Sequence, residues 1–257
     1  MPNIRYEVAD GVALVTIDRP EKRNAMTYAV LGEFLDAVER AGADDDARAV
    51  VITGSGGAFC AGTDLSDLAG TETGRRGGSR TTEREPWPIV ACPKPVVAAV
   101  DGAAVGMGAE FTVQCDLRVA STRARFAWNF VHRGLVPDTG AGSWLLPRQV
   151  GLPTALRLLY SGAFVSADEA FAIGYVTAVV EPDQVVEEAR RLATAMAQGS
   201  PFATRRVKQL VYAGLGRDAA THLDSHGVAL RECFGSDDHR EGVASFLERR
   251  EPRFTGR

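Results

Sequence analysis

FCAGTDL, from Phe59 to Leu65, and GAAVGMGAEF, from Gly102 to Phe111, each close an apolar, strand-like run. Their small residues let the backbone approach a ligand, and one N–H from each segment, converging on a single oxygen, makes an oxyanion hole. A plain strand-to-helix turn that needs glycine reads the same way. In the first segment Ala61 and Gly62 allow the close approach, and Asp64 and Leu65 are placed to begin a helix with partial positive charge at its N-terminus. In the second, Val96 to Val100 reads as the strand, Asp101-Gly102 as the turn, and the helix as starting near Glu110. The spacing G-x-x-x-G-x-G departs from the dinucleotide fingerprint, and no P-loop Lys-Ser/Thr follows.

Working outward, Val12 to Ile17, Ala49 to Thr53 and Leu117 to Ala120 are further short Val- and Ala-rich runs that predict strands. Thr27 to Ala41 sets Val30, Leu31, Phe34, Leu35 and Val38 on one helical face, with Glu33, Asp36, Glu39 and Arg40 opposite, which predicts a βαβ unit. Gly70 to Glu85 has no large apolar side chain and predicts a mobile loop placed to act as a lid. From about Pro153 helices dominate: Ser166 to Glu169 has capping-box spacing, Pro182 opens a helix, and Ser200-Pro201 supplies a cap and a first-turn proline.

At 257 residues and 45% hydrophobic, the chain suits one α/β core with an appended helical part. A net charge of −4 gives no electrostatic case for nucleic acid. No apolar run is long enough to span a bilayer and the start lacks a signal-peptide layout, so no membrane partner and a cytoplasmic location are expected. Cys60, Cys92, Cys115 and Cys233 are widely spaced and read as buried hydrophobes. His222 and His226 lack a third ligand, so no metal is expected.

From VALVTIDRPEKRNAM (Val12 to Met26) to EGVASFLERREPRFTGR (Glu241 to Arg257), the chain resembles the crotonase superfamily, the enoyl-CoA hydratases and isomerases. The resemblance implies a crotonase-like spiral of ββα units over residues 1–195, and a C-terminal helical region, 196–257, that completes the coenzyme A site and packs a homotrimer or homohexamer. It implies an acyl-CoA substrate and no separate cofactor. By the same match the oxyanion donors are the N–H groups of Thr63 and Met107. Lys22, Arg23, Ala25, Ala61, Asp64, Leu65 and Arg249 fall on positions that line coenzyme A, Arg249 often from a neighbouring subunit.

Two carboxylates could do proton transfer. Glu110, among Ala109, Phe111 and Val113, is set for a pKa raised by desolvation, and it matches one of the two hydratase glutamates. Where those enzymes carry the second, this chain has Phe130. Asp138, in GLVPDTGAG, matches the catalytic carboxylate of enoyl-CoA isomerases and the nucleophilic aspartate of aroyl-CoA dehalogenases. It also suits the bland role of N-cap to a helix over Ser143 to Val150. Trp128, Phe130 and His132 would make one wall of the acyl pocket, with His132 able to support Asp138. One base beside an oxyanion hole suffices to move a double bond, whereas hydration must also hold a water. The expectation is therefore double-bond isomerisation with Asp138 as base. Hydration through Glu110, covalent attack by Asp138 and a non-catalytic acyl-CoA binder remain as alternatives.

Overall fold

The computed structural model describes residues 2–64 and 85–257. Six strands form one sheet in the order β1-β2-β3-β4-β6-β9: β1 (Ile4–Ala9), β2 (Val12–Ile17), β3 (Ala49–Gly54), β4 (Val96–Val100), β6 (Leu117–Ser121) and β9 (Ala178–Val180). Only β1 runs antiparallel to its neighbour; the rest pair in parallel. Parallel strands are covered on both faces and so read as continuous apolar runs. Successive residues of β4 split accordingly: Val96, Ala98 and Val100 enter one buried cluster, and Val97 and Ala99 the other.

The first cluster is closed by α1 (Tyr28–Ala43), which buries Val30, Phe34, Ala37, Val38 and Ala41. Thr27 caps it, its side chain accepting from the Val30 amide at 3.2 Å. The second cluster is closed by the helix Val185–Met196, through Val185, Ala189 and Ala193. That helix starts three residues after Pro182, which lies in the preceding turn rather than in the helix.

A smaller sheet has the order β5-β7-β8: β5 (Ala103–Val105), β7 (Arg125–Ala127) and β8 (Val165–Ser166). β5 leaves β4 at the Asp101-Gly102 turn, and Cys60 bridges to Ala104 in parallel. The two glycine-rich segments, 44 residues apart in sequence at Cys60 and Ala104, are thereby laid side by side. The second helix of this region, α2 (Met107–Gln114), begins at Met107 rather than near Glu110, because Gly106 at its N-cap already hands its carbonyl to the Glu110 amide at 3.0 Å. The stretch expected as one helix over Ser143 to Val150 is two short ones, Ala141–Trp144 and Leu146–Val150.

Three further helices follow: Pro201–Gly214, Ala219–Gly235 and Asp237–Glu248. Ser166 and Ser200 act as N-caps, accepting from Glu169 and Ala203 amides. Lys208 and Tyr212 tie the first of the three to the core through Asp116, each at 2.9 Å. Among the described residues no helix is long and apolar enough to cross a membrane. The expected lid, Gly70 to Glu85, lies outside the described residues except for Glu85.

Candidate active site

The loop after β2 sets the first segment. Asn24 is fully buried; its side-chain amide donates to the carbonyls of Ser55 (2.9 Å) and Ala58 (2.7 Å), and its oxygen accepts from the Arg19 amide (2.8 Å). Next to it, the Met26 amide donates to the Gly62 carbonyl at 2.8 Å and the Asp64 amide to the Met26 carbonyl at 2.7 Å. In such a parallel bridge the flanking residues face the partner and the central one faces away. Thr63 is the central residue, so its N–H points away from Met26.

On that segment Gly62 has φ +97°, and a Cβ there would lie 2.8 Å from the Val105 carbonyl oxygen and 3.5 Å from the Met107 amide nitrogen. Only glycine tolerates both the backbone angle and the approach. The Met107 amide is the first of α2, with no intrahelical partner, and Gly106 has no side chain to cap it. Two amides without an internal claim therefore lie on adjoining backbone.

Glu110 is fully buried one turn into α2. Its Oε2 accepts from the Thr139 hydroxyl at 2.6 Å and from the Gly142 amide at 3.0 Å. Its Oε1 is buried and has no hydrogen-bond partner among the described residues, as is the indole N–H of Trp128. Burial pushes the Glu110 carboxyl up to about 7, against the pull of the Thr139 and Gly142 donors and with help from the Asp138 charge. Gly142 makes this possible, since a Cβ there would sit 2.1 Å from Glu110 Oε1.

Asp138 is not the N-cap of the following helix. Gly140 holds that position with no side-chain cap; the Ala141 amide goes to the Thr139 hydroxyl oxygen at 3.2 Å, and the Gly142 amide to Glu110. The Asp138 residue is exposed, yet surrounding protein pushes its carboxyl up to about 6, offset in part by the Thr139 amide. Its charge is felt at Glu110 and at the Cys60 thiol, which burial foremost pushes up to about 12. The Cys60 sulfur in turn accepts from the Gly62 amide at 3.4 Å. The Asp138 charge thus acts on both Glu110 and the glycine segment that follows Cys60.

The other expected positions divide. Lys22 and Arg23 are exposed, and the Arg23 carbonyl accepts from the Ala61 amide at 3.0 Å, which brings Ala25 and Ala61 to the same edge. Asp64 pairs with Arg19 at 3.5 Å. Leu65 lies outside the described residues. Arg249 is exposed at the end of the last helix, and among the described residues no hydrogen bond or ion pair joins it to the rest of the group. Trp128 is buried behind Gly142, and Phe130 behind Gly106. His132 is turned outward, its Nε2 against the Ser161 carbonyl at 2.7 Å rather than toward Asp138. Thr139, Gly142 and Trp87, whose indole N–H donates to the Thr139 carbonyl at 2.9 Å, escaped the sequence analysis, and no periodicity or motif marks them. Among the described residues no group of three or more His, Cys, Asp or Glu is placed to hold a metal ion.

The raised Glu110 pKa has a consequence for stability. Between pH 4.5 and about 7 the folded chain binds a proton on Glu110 that the unfolded chain has lost, so stability falls as pH rises through that window. Glu110→Gln, neutral throughout, is expected to lose less thermal stability than wild type between about pH 5 and about pH 8. Identical losses in chemical-denaturation or melting curves would remove the buried-carboxyl assignment.

A glycine edge laid against a helix N-terminus, with a buried and an exposed carboxyl in the same region, sits on a mixed α/β core. The family model for enoyl-CoA hydratase/isomerase matches residues 7–257, and the chain belongs to that family. A Rhodobacter capsulatus protein named "Probable enoyl-CoA hydratase" is 40% identical over 99% of this chain and 98% of its own length. The 1,2-epoxyphenylacetyl-CoA isomerase of Escherichia coli is 37% identical over the full length of both. The crystal structure of enoyl-CoA hydratase from Bacillus anthracis superposes with a TM-score of 0.92 at 31% identity, covering 99% of this chain and 100% of that one. The fold is therefore the crotonase fold, and the protein is an enzyme of the hydratase/isomerase type rather than the non-catalytic binder that the missing second glutamate had left open.

Proposed function

We propose that the enzyme moves the carbon–carbon double bond of an enoyl-CoA thioester, with Asp138 as the base. The observation that carries this is the difference between the two carboxyls: Asp138 is exposed and free to meet a substrate, whereas Glu110 is fully buried with one oxygen held by Thr139 and Gly142. The Asp138 carboxylate takes a proton from the carbon next to the thioester; that C–H bond breaks as an O–H bond forms, and the electrons pass to the thioester oxygen. The N–H groups of Thr63 and Met107 hold the resulting enolate oxygen. Asp138 then returns its proton two carbons further along, and the double bond has moved. Protons and electrons balance with no cofactor beyond the coenzyme A of the substrate.

Lys22, Arg23, Ala25, Ala61, Asp64 and Leu65 would line coenzyme A, and Trp128 and Phe130 the acyl side, without the outward-turned His132. Phe130, where hydratases carry a carboxylate, leaves that side apolar, which favours proton transfer over water addition. The full-length relatives include an isomerase, of 1,2-epoxyphenylacetyl-CoA, beside the hydratases. Residues 196–257 would form the oligomer-building part: Leu223, Phe234, Phe246 and Leu247 on its helices are exposed, Phe246 at 82%. A homotrimer or homohexamer would cover them and would bring Arg249 to a neighbour's site. A cytoplasmic setting fits this soluble chemistry.

Hydration through Glu110 is the second reading, favoured by its pKa of about 7 and by the hydratase relatives. Incubation with 3-enoyl-CoA and 2-enoyl-CoA in isotopically labelled water separates the two. Exchange with double-bond migration supports the proposal, and labelled 3-hydroxyacyl-CoA as the sole product replaces it with hydration.

A further inference from the structure

Thr139 is half-buried, yet it uses every hydrogen-bonding atom of its side chain. Its hydroxyl donates to Glu110 Oε2 at 2.6 Å and accepts from the Ala141 amide at 3.2 Å, with the Gln114 side-chain amide at 3.5 Å beyond. Its carbonyl accepts from the Trp87 indole at 2.9 Å. One residue thus ties together α2, the helix Ala141–Trp144 and the segment leading into the helix Pro88–Ala91, and it directly follows Asp138. A hydroxyl has one donor and two acceptor sites, so this one is saturated.

We propose that Thr139 is a positioning residue for the reaction: through its hydroxyl it makes the buried carboxyl of Glu110 the anchor of the turn that presents Asp138 to the substrate. This rests on the isomerase reading above, with Asp138 as the base. Glu110 then never meets substrate. It caps the Ala141–Trp144 helix through Gly142 and grips Thr139, which fixes the backbone one bond from Asp138. The anchor is strongest when Glu110 is ionised, because an ionised acceptor makes the stronger hydrogen bond. The groups that face it are Asp138 from the turn and Tyr175, whose ring lies edge-on to Trp128 at 5.4 Å, with Arg118 over the Tyr175 ring at 4.5 Å and Cys60 beyond Asp138. Removing the hydroxyl takes a donor from Glu110 and raises the pH at which it ionises.

The test is the pH dependence of isomerisation of a 3-enoyl-CoA by the full-length enzyme and by Thr139→Val, Thr139→Ala, Thr139→Ser and Asp138→Asn. The Val and Ala variants are expected to lose about 10- to 100-fold in kcat with KM within about threefold, as a slight misplacement of a reacting group does. Their acid limb, set in the wild type by the Asp138 base and the ionised Glu110 anchor together, should move to higher pH as the Glu110 contribution does, while Ser, which keeps the hydroxyl, should restore both. Wild-type kcat and acid limb in Val or Ala, with Asp138→Asn inactive, overturn the positioning role and leave the isomerase reading standing. Full activity in Asp138→Asn instead removes that reading and the positioning role with it. Unfolding of both Val and Ala, seen by circular dichroism, also overturns it, because the hydroxyl would then serve the fold rather than the reaction.

Discussion

Asp138→Asn is expected to reduce isomerisation of a 3-enoyl-CoA by about 10² to 10⁴-fold, the contribution of a well-placed general base, with little change in KM. Asparagine keeps the size and the local amide contacts of the turn but has no basic oxygen. The wild-type rate should rise with pH through about 6, since burial holds the carboxyl protonated, and so useless as a base, below that value. In Asn that limb should vanish along with the activity. The fold is not at stake, because the helix cap once assigned to this aspartate is made by Thr139 and Glu110. A variant that keeps its rate and its acid limb would transfer the proton chemistry to Glu110.

Gly62→Ala is expected to lower kcat by about 10² to 10³-fold, the cost of losing one oxyanion donor. The methyl would lie 2.8 Å from the Val105 carbonyl oxygen at a φ of +97°, so the backbone must move at the point where the Thr63 segment meets Met107. Strain of about 1–3 kcal/mol accompanies a non-glycine residue held there, which a melting curve will register as a modest loss of stability. Binding of the coenzyme A portion should survive, since the loop of Lys22 to Ala25 is also held by Asn24 to the Ser55 and Ala58 carbonyls, upstream of Gly62. An alanine variant with wild-type kcat would show that the two amides do not act on the enolate.

Much of this was legible from residue order. The buried strands announced themselves because a parallel strand covered on both faces needs an unbroken apolar run, as in Val96 to Val100. α1 announced itself through its 3.6-residue stripe and the Thr27 cap. β5 did not, since three residues carry no period, and β1 was missed even though Ile4, Tyr6 and Val8 alternate with more exposed neighbours. The short helix after Asp138 misled for a related reason: an aspartate before a helix is a good cap wherever it occurs, and nothing local says that another side chain has taken the place.

The sequence by itself determined the family, the two glycine segments, and the pair of carboxyls with chemistry in reach, because these depend on residue types at fixed spacing. Only the tertiary structure decided which carboxyl is exposed and which is sealed. Burial and hydrogen-bond partners come from residues far apart in the chain, and here the Thr139 hydroxyl and the Gly142 amide, 29 and 32 residues from Glu110, claim the same oxygen.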